Sequence, residues 1–476
     1  MELSLPQRVF KNTVALLSAQ LIAKLLNLVL LILSARILGT EGYGRYSFAF
    51  AFSGIFLIFS DMGINTLIIR DVARNREQAS QIFGNCLVVK LFLSTLSVII
   101  PIVIIQFLDY HFEVKLIVFL ATIGLIFSSI SQAYTALFRG FERMELEALV
   151  VIINVFLVTI SGSTVLLLGF NVVVLMTTFV ISNIISLLFS IFLCRKLTKP
   201  KFVFKKKILQ RVLWQAISIG VAMVFVAILF RLDTIMLSFL RSDSEVGLYA
   251  VAYKFINVFV MIPTALMGAM FPNMAFSFQN SKETMRRLYE NAYRVLMIVA
   301  FAMAIFITIL SPTLIRLLFG GEFSEAELTL RILIWSVLFI SINSILFNVL
   351  LSSDNQKVLA KATAAATLLN ILLNMFLIPQ LGHVGAAIAT VLSEACIAGV
   401  CFSYISKRII RIDLLKPLVA CIGSCLLVFF TFLFLREADW LVNILILPGI
   451  YFGTLFLTGT ITRADFYLTK RILGLS

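Results

Sequence analysis

Lys24, Asp61, Lys90, Arg231, Asp233, Lys254, Arg331 and Glu394 each interrupt a long apolar run of this 476-residue chain. A charge at the centre of a bilayer costs about 2.5–3.5 kcal/mol on insertion scales, so such groups face a wet cavity, find a partner or snorkel to the surface. Lys24 stands near the middle of its run. Asp61 lies in Ser60-Asp61-Met62-Gly63, beside a glycine that permits local distortion. Lys90 and Arg331 sit close enough to the ends of their runs to snorkel. Arg231 and Asp233, two residues apart, point about 200° apart around a helix and need different partners. Three cations with two carboxylates suit an anionic ligand, a diphosphate being one candidate. The expectation is that Lys24, Arg231 and Lys254 bind substrate in one central cavity, while Asp61, Asp233 and Glu394 gate it or couple it to an ion.

Other chemistries lack their residues. The cysteines at 86, 194, 396, 401, 421 and 425 lie in or at the end of apolar runs, with no C-x-x-C pair or histidine cluster, so they read as packing residues. His111 and His383 stand singly in loops, without metal-ligand neighbours. No G-x-x-x-x-G-K-[ST] loop is present for ATP hydrolysis. The longest outer loop, 311–327, is too short to house a glycosyl-transfer or polymerase site. Neither a metal, a cofactor nor a catalytic residue is expected, and the chain reads as a non-enzyme.

The elements that carry these charges are membrane spans. The chain is 61% apolar and only 13% charged, with 44 Phe and a mean hydropathy of +1.05; soluble domains average about 45–50% apolar and about 25% charged. Requiring about twenty apolar residues per span gives fourteen, near 12–36, 46–69, 82–107, 116–138, 148–168, 172–194, 214–240, 247–271, 288–310, 328–351, 358–378, 384–404, 417–435 and 441–460. Very short turns separate the fifth from the sixth and the eleventh from the twelfth. With the termini and alternate loops on one side, that side holds 26 Lys+Arg and the other 5. The basic excess marks the cytoplasmic side, so both termini are expected inside a cytoplasmic membrane. The densest basic run, 195–211, fits anionic lipid headgroups. Nucleic acid is excluded as a partner because no aromatic platform or folded module accompanies the charge.

That basic loop divides two similar halves. Tyr43-Gly44-Arg45-Tyr46 faces Val246-Gly247-Leu248-Tyr249 at an offset of 203. Leu168-Gly169 faces Leu381-Gly382 at 213, as does Gly140-Phe141-Glu142-Arg143 against Ser353-Asp354-Asn355-Gln356. One modest insertion in the second half accounts for the drift. Six spans per half is an even number, so both halves enter the membrane in the same direction. The expected fold is an all-α integral membrane protein: an N-lobe at 1–195, a basic linker at 196–213, a C-lobe at 214–406 related to the first by a pseudo-two-fold along the membrane normal, and two further helices at 407–476.

The opening of the chain carries Ala35-Arg36-Ile37-Leu38-Gly39, Gly42-Tyr43-Gly44-Arg45-Tyr46, Asp61-Met62-Gly63 and Arg70-Asp71-Val72-Ala73-Arg74, with Leu381-Gly382-His383-Val384-Gly385-Ala386-Ala387-Ile388-Ala389 further on. In these stretches it resembles the polysaccharide biosynthesis flippases of the multidrug/oligosaccharidyl-lipid/polysaccharide exporter superfamily. The resemblance implies a flippase for an isoprenoid-diphosphate-linked oligosaccharide, working with membrane lipids and polysaccharide-assembly proteins. In the lipid II branch a basic residue matches Lys24 and an acidic one matches Asp61. A second basic residue of that branch is Leu30 here, which favours the O-antigen, capsule or exopolysaccharide branch. The competing readings are a cation-coupled multidrug antiporter of the same superfamily and an integral-membrane glycan polymerase.

Overall fold

The computed structural model describes residues 5–202, 210, 212–214, 230–410, 415–435 and 440–461. Among them every regular element is helical. Continuous apolar runs leave few alternatives, since a backbone in hydrocarbon must satisfy its own hydrogen bonds. Among the described residues, ten helical stretches are long and apolar enough to cross a membrane.

Two of those stretches are double. Leu5–Asp61 breaks at Gly39 (φ 68°, ψ −176°) and Gln356–Arg408 at Gly382 (φ 55°, ψ −134°). An unbroken helix of 53 residues would run about 80 Å, more than twice the ~30 Å hydrocarbon core. Only glycine adopts these backbone angles readily. The fifth and sixth expected spans also separate cleanly, as Met144–Leu167 and Val172–Arg195, across a turn at Gly169 (φ 79°). The expected seventh span, 214–240, falls largely outside the described residues, as does most of the basic run at 203–211. Within the seventh span, 230–240 is helical.

The chain divides into two compact units, Met1–Gly247 and Leu248–Ser476. In the first, Phe112–Gly140 packs on Val172–Arg195, on Leu5–Asp61 and on the short Ile64–Arg74. Small and hydroxylated residues line these contacts. Ser53 pairs with Thr122 (2.8 Å), Ser60 with Ser129 (2.7 Å), Ser131 with Ser190 (2.8 Å) and Asn154 with Asn183 (3.2 Å). Such bonds join helices where the hydrophobic effect is absent, at about 0.6 kcal/mol each. An apolar core of Ile64, Leu67, Ile68, Val72, Phe83, Leu137 and Phe138 closes one end.

In the second unit, Ser336–Ser352 packs on Gln356–Arg408, Lys282–Phe319 and Met261–Asn280. Leu415–Phe434 lies against Lys282–Phe319 and pairs with Trp440–Leu457.

Local geometry repeats between the units. Phe141 N donates to Leu137 O (3.1 Å) and Arg143 N to Phe138 O (2.8 Å). Ser353 N donates to Val349 O (3.1 Å) and Asn355 N to Leu350 O (2.8 Å). The left-handed residues are Glu142 (φ 59°) and Asp354 (φ 58°). The equivalence is therefore Phe141 with Ser353, one residue away from the letter match of Gly140 with Ser353. The backbone turn sets the register, and Asp tolerates the left-handed region. Helix starts locate the insertion: Ala79 and Lys282 differ by 203, but Phe112 and Ala326 by 214. The extra residues lie in the ninth span and the loop that follows it.

Candidate substrate-translocation site

Asp61 ends the first long helical stretch, where Met62 (φ 40°) and Gly63 (φ 87°) break it before Ile64–Arg74 resumes. Its Oδ1 accepts the Asn65 backbone N–H (3.3 Å), a carboxylate at the start of a helix. The same Oδ1 accepts Lys90 Nζ at 2.8 Å, and Lys90 also donates to Asn65 Oδ1 at 3.2 Å. Lys90 is wholly buried. It does not snorkel; it turns inward and pins the break. The spacing of Lys90 from its helix end had favoured the surface, because the face of span three that meets span two is a tertiary fact.

Arg231 is half-buried, and its Nη1 donates to Phe50 O at 2.7 Å. The guanidinium lies over Gly54, where an added Cβ would stand 1.4 Å from Nη1. Span two thus supplies a bare stretch of backbone for the arginine. Asp233, two residues on, is buried. Lys24 is exposed on the first helix, next to buried Ala23 and between exposed Leu21 and Leu25.

In the second unit Lys254 is half-buried. Glu394 is buried, and its Oε2 accepts Asn343 Nδ2 at 2.8 Å. Asn343 also donates to the Glu394 carbonyl at 3.1 Å. Asn343 was not singled out by its sequence, since a lone asparagine in an apolar run carries no periodic signal. Arg331 donates through Nε to Ser311 Oγ at 2.9 Å.

One further cluster went unread in the sequence. Arg45 reaches Asp243 (3.0 Å), Glu113 (2.8 Å) and Glu41, joining the starts of spans two, four and eight. Beside it Gly44 and Gly247 meet backbone to backbone: a Cβ on Gly44 would overlap Asp243 O, and one on Gly247 would overlap Thr40 O. These are the two glycines matched at the 203 offset. Nearby, Tyr110 bonds Ser238 Oγ at 2.7 Å. Burial pushes its phenol up to about 12, so it stays protonated at neutral pH.

Among the described residues no group of three His, Cys, Asp or Glu is placed to hold a metal. The side chains offer charge and hydrogen bonds rather than a nucleophile and its base.

Helices of this number and length, broken at glycines and carrying charges inside, define a polytopic membrane transporter. The same fold is seen in the solved lipid II flippase MurJ in an inward closed conformation, with a TM-score of 0.75 and 16% identity, over 97% of this chain and 99% of that one. An inward-facing multidrug resistance MATE family transporter superposes with a TM-score of 0.67 and 16% identity, over 83% and 97%. The chain belongs to the polysaccharide biosynthesis protein family, whose model matches residues 9–278. A MatE model matches 218–376. A relative in Haloferax volcanii, the probable low-salt glycan biosynthesis flippase Agl15, is 24% identical over 433 residues, 90% of each chain. The probable flippase AglR of the same organism is 29% identical over 34% of this chain and 35% of its own.

Proposed function

We propose that this protein is a flippase that carries an isoprenoid-diphosphate-linked oligosaccharide across the cytoplasmic membrane for surface polysaccharide assembly, by alternating access. It is a transporter, and no bond is made or broken. Family membership and likeness to a glycan flippase along nine-tenths of both chains support the class. The observation that carries the substrate is the retention of Lys24, Arg231 and Lys254 within apolar helices. Cations kept there at a cost of about 2.5–3.5 kcal/mol each, on insertion scales, suit a ligand that is itself anionic. Lys24, Arg231 and Lys254 are the proposed diphosphate ligands. Asp61, Asp233 and Glu394 are the proposed gating or ion-coupling groups. Both termini are placed in the cytoplasm on the charge asymmetry of the loops.

Deleting the gene in its source organism should abolish a surface glycan and accumulate its lipid-linked precursor. A multidrug antiporter would leave the glycan untouched and change only sensitivity to cationic drugs. Glycan present at the normal level in the deletion strain overturns the proposal.

Gly54 gives a positional check on Arg231. Gly54→Ala must displace the guanidinium, the mobile end of a side chain, and break its bond to Phe50 O. A hydrogen bond from a charged group contributes about 1.5–3 kcal/mol, so export should fall about tenfold. Gly54→Ala and Arg231→Ala should lower export to the same level and not add when combined. Glycan export at matched protein abundance measures this; additive losses would separate the two residues.

A further inference from the structure

The second unit holds a cavity of mixed polar and apolar lining that the proposed translocation site does not use. Its volume is about 380 Å³, and it is bordered by Ser324, Glu325, Glu327, Arg331 and His383, with Leu328 and Val384 as its apolar part. Ser324, Glu327, Leu328 and Arg331 follow one another at i, i+3, i+4 and i+7, so Ala326–Leu333 presents one face to it. His383 comes from the other side, placed by the break at Gly382. The groups are held in position. Arg316 Nε binds Glu327 Oε1 at 2.9 Å, Arg331 Nε binds Ser311 Oγ at 2.9 Å, and the buried His383 meets Thr329 Oγ1 through Nδ1.

The fold itself does not call for two of these groups, Arg331 and His383. At offsets of 212 to 214 the first-half counterpart of Arg331 is Phe119, Val118 or Ile117, each apolar. At the offset shared by Gly169 and Gly382, His383 corresponds to Phe170. The rim at Gly320–Glu325 lies where the second half carries its insertion. Arg331 and His383 thus stand where the first half is apolar, while Glu327 matches Glu113 at the helix-start offset.

The composition of the lining selects a ligand class. Glu327 is paired with Arg316, and Glu325 and Arg331 carry opposite charges, so the lining has no net charge to select a phosphate or an acidic headgroup, and no metal-binding set of three is present among the described residues. A lining that holds acceptors (Glu325, Glu327), donors (Arg331) and groups of both kinds (Ser324, His383) matches a ligand with many hydroxyls, each donor and acceptor at once. Leu328 and Val384 offer a surface for ring C–H groups. The size lies within the range of about 300–1,000 Å³ for small-molecule sites.

We propose that this cavity is a saccharide subsite, where a sugar of the transported glycan docks on the extracytoplasmic end of the second unit. The inference rests on the flippase reading and on the topology above. It adds a contact for the glycan separate from the diphosphate ligands.

The test has two arms on the full-length protein. Wild type, Glu325→Gln, Arg331→Gln and His383→Phe are expressed in the deletion strain and glycan export is compared at matched abundance. The same proteins, purified in detergent, are mixed with the oligosaccharide released from the cell's own lipid carrier by mild acid, and saturation-transfer NMR reads sugar contact. Glu325→Gln, at an exposed position, tests the subsite with least risk to folding. We expect wild type to restore export and give sugar signals, and each variant to lose about tenfold in sugar affinity, the worth of one charge-assisted hydrogen bond. Export by the variants should fall severalfold. If wild type restores export but the variants bind and export as it does, or if no sugar signal is seen with any protein, the subsite is overturned and the flippase reading stands. Failure of wild type to restore the glycan removes both.

Discussion

Lys90→Met is expected to destabilise the first unit more than any other single charge removal there. Lys90 is wholly buried, and its ammonium holds both Asp61 and Asn65 across the break in span two. Without it, Asp61 loses its ion-pair partner and keeps only the Asn65 backbone N–H. Breaking a fully buried pair costs about 3–5 kcal/mol, and the 31% exposure of the Asp61 side chain brings the expectation to about 2–3 kcal/mol. The apparent Tm of the purified protein should fall by about 5–10 °C. Asp61→Leu together with Lys90→Met removes both charges, and most of the loss should be recovered, because an apolar pair of similar volume is nearly neutral. A Lys90→Met protein that melts with wild type would show that the pair does not hold the break. The double variant also separates roles. Stability regained without export assigns Asp61 to gating; export regained with stability assigns the pair to structure alone.

The second large effect belongs to Lys24. Lys24→Ala should lower glycan export by about tenfold or more, the value of a charge-assisted contact to phosphate in a site of reduced dielectric. Membrane insertion and abundance should be unchanged, because Lys24 is exposed. Lys24→Arg keeps the charge and should retain much of the activity. Export measured against immunoblotted protein level in the deletion strain decides it. Normal export by Lys24→Ala would remove the central ligand from the proposed site.

The spans were legible because hydrocarbon imposes length and polarity together. A break at glycine is also a sequence event, and Gly169 and Gly382, matched by offset alone, both adopt positive φ. What stayed hidden depends on which helix faces meet. Lys90 looked able to snorkel, and nothing local says that its face packs on Asp61. Glu41 stands four residues before Arg45, but Glu113 and Asp243 are 68 and 198 positions away, too far for any helical spacing to relate them. The register of the Glu142 and Asp354 turns slipped by one because similar letters were matched where similar backbone was needed. The cavity around His383 escaped because it brings residues 324–331 and 383–384 together across more than fifty positions, a contact no local spacing announces.

The most direct measurement is leaflet translocation by the purified protein. Proteoliposomes containing the lipid-linked oligosaccharide are probed with a membrane-impermeant reagent that modifies its sugar. With wild-type protein the accessible share should rise beyond the outward-facing pool as inner-leaflet molecules are carried out. Protein-free vesicles and Lys24→Ala vesicles should stay at the outward-facing share. Wild-type vesicles that remain at the protein-free level, with folded protein and intact precursor, would contradict the assignment as a flippase.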